Sequence, residues 1–135
     1  MAIKVKNGSK RLIKEIWRLK KENLPLLKLL LDVRNYVKKE FNKDITITMI
    51  DRTEEEQDYL YKDNARYKRR KFRSPHQFLH AIDLRSSDFT NIEIGLIEGY
   101  LNDKYKNVNY YRFTALYHSV GHGDHLHIQL LENLK

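Results

Sequence analysis

Gly121-His122-Gly123-Asp124-His125-Leu126-His127-Ile128 reads as a turn running into a strand. Gly and Asp supply the turn, and polar and apolar residues then alternate. A strand over 125–131 pairs naturally with one over 111–118, because a short turn joins antiparallel neighbours. Upstream, Ala81-Ile82-Asp83-Leu84 reads as a short strand, and the β-branched run Ile45-Thr46-Ile47-Thr48-Met49-Ile50 as another. Thr90 with Glu93 forms a capping box that opens a helix carrying Ile94, Ile97, Leu101 and Tyr105 on one side. Thr53 with Glu56 opens a shorter one. Ser9 caps a helix over 10–22 with an apolar stripe of Leu12, Ile13, Ile16, Trp17 and Leu19, expected to face the core. Asn23 and Pro25 start a second helix, whose Leu26, Leu30, Val33, Val37 and Phe41 share a face. The first residues are expected to fray. The order ααβαβαββ predicts an α+β domain with helices packed on a small, mainly antiparallel sheet.

The 135 residues suit a single domain spanning 1–135, with 41% hydrophobic residues and nine Tyr, five Phe and one Trp. Such a chain is too apolar for disorder. Cysteine is absent, which excludes disulfide scaffolds, thiol nucleophiles and thiolate metal sites. Any metal must be held by His and carboxylates. The longest aliphatic run, Leu29-Leu30-Leu31, is far too short to span a bilayer. Residues 1–75 hold 21 basic and 11 acidic side chains, whereas residues 76–135 hold 5 and 7. All six histidines lie in the second part. A basic front and a His-rich back suggest a binding surface and a reaction site in one domain.

The chemistry-bearing residues fall in two segments. One is Ser74-Pro75-His76-Gln77-Phe78-Leu79-His80-Ala81-Ile82-Asp83, the other the 121–128 stretch quoted above. Residues two apart on a strand share a face, so His125 and His127 project together and Leu126 points away into packing. Two imidazoles and a carboxylate from separate segments can surround one tetrahedral zinc and leave a fourth position for water. A His-x-His pair alone is also found on ordinary strands. Its weight here comes from Asp124, His76 and Asp83 accompanying it.

The first segment resembles the Ser-x-His-x-x-Gly-x-Ala-x-Asp signature of zinc D-Ala-D-Ala carboxypeptidases and murein endopeptidases. The second resembles the Asp-His-x-His end of the same family, whose fold is shared with the Hedgehog signalling domain. Ser74, His76, Ala81, Asp83, Asp124, His125 and His127 match in place, and the likeness covers roughly residues 45–131. Leu79 stands where the family usually has Gly, and Ile50-Asp51 replaces the usual small residues before an arginine, here Arg52. The resemblance implies one Zn2+ per chain held by His76, Asp83 and His127. It implies Asp124 as general base, and His125 and Arg52 as groups steadying the oxyanion or a substrate carboxylate. His122 would be an additional active-site histidine, as in some endopeptidases of the family. His80 is expected to have a surface or packing role, and His118 a structural one.

The implied activity is hydrolysis of peptide bonds in bacterial peptidoglycan by a monomeric enzyme. The basic run at 66–73, six Lys or Arg in eight residues, would border the site and hold anionic wall polymers. Two other readings stand beside it. A module of the same fold would bind zinc and wall polymer without cutting. A single-strand nuclease would use His-x-His with a tyrosine nucleophile on a following helix, but no Tyr follows His127. Lys and Arg interrupt the N-terminal apolar residues, so no signal peptide is read. Release to the wall as a phage-type lysis enzyme, or carriage on a virion, is then the expected route.

Overall fold

Ser9 accepts a hydrogen bond from the Leu12 amide and starts α1 (Lys10–Glu22). Asn23 accepts from the Leu26 amide and starts α2 (Leu24–Phe41), with Pro25 in its first turn. Each side chain satisfies a backbone donor that the helix cannot. α2 stops at Asn42, which takes the left-handed conformation (φ 52°) that asparagine tolerates. Thr53 and Glu56 bond each other's backbone amides and open α3 (Glu54–Leu60). Thr90 and Glu93 do the same for α4 (Asn91–Lys104). The computed structural model describes residues 3–51, 53–60, 62–64, 76, 80–106, 113–119 and 124–130.

Five strands form one sheet: β1 (Ile3–Val5), β2 (Ile45–Met49), β3 (Ala81–Arg85), β4 (Ala115–Ser119) and β5 (Asp124–Gln129). Their spatial order is β1-β2-β3-β5-β4. β1 runs parallel to β2, and the remaining pairs are antiparallel. The domain is α+β, as the element pattern predicts. β1 corrects the expectation of a frayed start: Ile3 and Val5 pack against the core while the backbone pairs with Ile45 and Ile47.

The alternation sorts the sheet into two faces. Ile82, Leu84, Leu126 and Ile128 are buried with Ile45 and Ile47 and join the core formed by Leu26, Leu30, Val33 and Val37 of α2 and Ile97 and Leu101 of α4. Asp83, His125, His127 and Gln129 take the alternate positions, with Asp83 paired to His127 and Arg85 to His125. The helices thus leave one sheet face to the polar residues. In α1 the apolar stripe divides, which corrects the expectation that all of it packs inward. Leu12 and Leu19 are buried and Ile16 is half-buried, whereas Ile13 and Trp17 are exposed. The buried side is completed by Glu15, a carboxylate.

Candidate metal centre

β3 carries Asp83 beside His127 of β5, and the chain before β3 delivers His76 to the same point. His76 Nε2 lies 3.1 Å from Asp83 Oδ1, and His127 Nδ1 lies 3.1 Å from that same oxygen. All three side chains are buried. One ligand atom from each falls within 4.8 Å of the others, so the group could hold a metal ion.

The outer partners decide how these atoms are presented. His76 Nδ1 is 2.9 Å from the Ile50 carbonyl oxygen, which can only accept, so Nδ1 carries the proton and Nε2 offers a lone pair. His127 is oriented from its other end. Gln129 donates its amide N–H to the Phe113 carbonyl at 3.0 Å, which turns Gln129 Oε1 toward His127 Nε2 at 2.9 Å. His127 Nε2 therefore carries its proton, and Nδ1 offers a lone pair to the shared point. Two imidazole lone pairs and a carboxylate oxygen converge. Such a cluster is satisfied either by protons on both imidazoles or by one metal cation, and metal-binding histidines are held by this kind of outer hydrogen bond. In the metal-free cluster with protons on both imidazoles, burial works to raise the pKa of Asp83, but the adjacent charge of His76 and the hydrogen bonds then donated by His127 and His76 hold it well below the usual carboxylate range.

His125 shares the face of His127, is half-buried, and has Nε2 3.4 Å from Asp83 Oδ2. Asp124 is placed differently. It is the exposed first residue of β5, and alternation puts it on the face of Leu126 and Ile128. Its Oδ2 accepts a hydrogen bond from the Tyr117 hydroxyl at 2.7 Å, which raises the pKa of that tyrosine. His80 is half-buried with Nδ1 3.2 Å from the Leu130 carbonyl oxygen, and burial lowers its pKa. Arg52, Ser74, Leu79, His122 and the basic run at 66–73 lie outside the described residues, as does the side chain of His118.

Three supports carry no motif signal. Gln129 could have been found, because 125, 127 and 129 are equivalent positions on one strand face. Replacing Gln129 with Leu is expected to weaken metal binding by about 10–100-fold, the usual worth of an outer-shell partner, and metal titration checks it. The Ile50 carbonyl is backbone and leaves no trace in residue identity. A bulge between Ile47 and Met49, with Thr48 Oγ1 bonded to the Asp83 carbonyl, brings this end of β2 beside β3. The third support is α1. Arg18 bonds Asp51 Oδ2 at 2.9 Å, and Arg11 bonds the Asp51 carbonyl at 3.1 Å. Arg11 also grips both oxygens of Glu56 at 2.7 Å. The residue next to the Ile50 carbonyl is therefore tied to α1 and, through Arg11, to α3.

The hydrogen bond from Arg11 holds the Glu56 carboxyl down to about 2. A depressed carboxylate contributes stability that is present above its ordinary pKa and lost as pH falls through the folded value. Glu56→Gln should thus be less stable than wild type above pH ~5, by about 1 kcal/mol after solvent screening, with the difference vanishing near pH ~2. Paired thermal melts across that range check it.

No helix among the described residues is long and apolar enough to cross a membrane. Comparison with family models, with curated proteins and with solved structures finds no match to this chain.

Proposed function

We propose that this chain is a zinc-dependent peptidase that hydrolyses peptide bonds of bacterial peptidoglycan, in D-Ala-containing stems or cross-links. The observation that carries the reading is the convergence of His76 Nε2, Asp83 Oδ1 and His127 Nδ1, with both imidazoles oriented from behind. These are the ligands that the likeness to zinc D-Ala-D-Ala carboxypeptidases and murein endopeptidases implies. Two nitrogens and a carboxylate, with no cysteine in the chain, suit a zinc with an open fourth position. Zinc in such a site polarises a carbonyl and makes hydroxide available near neutral pH.

Hydrolysis adds water to the carbonyl carbon, breaks the C–N bond and sends one proton to the departing amine. Asp124 is assigned the proton transfer. In that role its carboxylate leaves the Tyr117 hydroxyl and turns from the face of Leu126 and Ile128 toward the attacking water. His125, beside Asp83 and half-buried, is assigned to steady the charge that develops on the carbonyl oxygen, together with Arg52. The bond between Tyr117 and Asp124 favours a second reading, a zinc-binding module of the same fold that holds wall polymer without cutting. Purified peptidoglycan incubated with the protein, with and without a chelator, separates the two. The peptidase releases D-Ala or new amino groups in the sample without chelator alone. Bound zinc with no release in either sample supports the module.

A further inference from the structure

The outward side of α1 combines lysines with an exposed tryptophan. Trp17 is 65% exposed, and Ile13, one turn before it, is 44% exposed. Lys10, Lys14, Lys20 and Lys21 are exposed as well. At about 100° per residue, these six positions fall within an arc of about 120° centred near Trp17. No carboxylate lies in that arc. The acids of the helix are committed elsewhere, Glu15 to Arg11 and Glu22 to Arg18. Lys20 lies 5.9 Å from the centre of the Trp17 ring, so the charge and the ring already adjoin.

We infer that this face docks on the surface of an anionic lipid bilayer. Lysines alone would suit any polyanion, and a ring among them would suit a stacked base. An exposed Ile one turn from the ring gains only where an apolar phase is offered, and the headgroup–acyl boundary offers one. The lysines around the pair meet anionic headgroups at the same depth, each worth about fivefold in partition at low salt. The helix is anchored below by Leu12 and Leu19 in the core, so it presents this face without unfolding.

Trp17 is the single tryptophan of the chain and reports its own surroundings. The test adds full-length protein to phosphatidylcholine vesicles with and without phosphatidylglycerol, and follows Trp fluorescence and co-sedimentation. Vesicles containing phosphatidylglycerol should shift the emission to the blue and sediment the protein, and salt should reverse both. Lys14→Gln with Lys21→Gln should lower partition by roughly thirtyfold, and Ile13→Ser by about tenfold. These positions are exposed, and circular dichroism with a thermal melt confirms that the variants fold. Sedimentation without a blue shift, equal binding to pure phosphatidylcholine, or unchanged partition of the folded variants would overturn the inference. So would binding to soluble polyglycerol phosphate or single-stranded DNA with no binding to vesicles.

Discussion

Asp83→Ala is expected to lose more than a hundredfold in zinc affinity, since outer-shell partners alone are worth about 10–100-fold. Asp83 is the anion toward which both His76 and His127 are turned, each at 3.1 Å from one oxygen. Without it two buried imidazoles face each other with no charge between them, and the metal-free protein also loses stability. Asp83→Asn separates the two effects. Its amide keeps the shape and can donate to an imidazole lone pair, so the metal-free fold is retained while the metal is lost. In wild type, zinc at a hundred times its dissociation constant should add about 2.7 kcal/mol to unfolding, and in both variants the added stability should disappear. Isothermal titration with zinc and melts with and without zinc check this. Wild-type affinity in Asp83→Asn would remove Asp83 from the ligand set.

Asp124→Asn is expected to retain zinc and fold and to lose about a hundredfold to ten-thousandfold in turnover on a peptidoglycan-derived peptide. Asn preserves shape and removes the proton acceptor. The bond from Tyr117 opposes that acceptor role, because it holds the carboxylate on the sheet face away from His127. Tyr117→Phe should therefore raise turnover, by up to about fivefold for a bond worth ~1 kcal/mol. The paired measurement is steady-state turnover with zinc content on the same samples. Turnover at the wild-type rate in Asp124→Asn would transfer the proton step to another group, with His125 and His122 next in line.

Much of the scaffold is legible in the sequence, because its signals are local. Ser9, Asn23, Thr53 and Thr90 announce helix starts through side-chain chemistry that acts within three residues. The alternation at 124–129 likewise fixes which side chains share a face. Long-range pairing leaves weaker marks. β1 is three residues long and becomes a strand only because β2 is there to receive it, so its sequence resembles a frayed end. In α1 five apolar residues crowd an arc wider than the core can cover, and burial of Glu15 in place of Trp17 follows from Arg11 and Asp51 beyond it. At the site, His76, Asp83 and His127 are the set that the family resemblance implies. The Ile50 carbonyl and the arginines of α1 carry no such signal, because their roles depend on where the backbone of residues 50–51 passes.

The proposed activity requires a metal held by His76, Asp83 and His127, and equilibrium dialysis against zinc tests that most directly. Wild type and the His76→Ala, Asp83→Asn and His127→Ala variants are dialysed together, and protein-bound zinc is counted per folded chain. The predicted result is one zinc per wild-type chain and none retained by any of the three variants. A wild-type chain that retains no zinc, or full occupancy in His127→Ala, would contradict it.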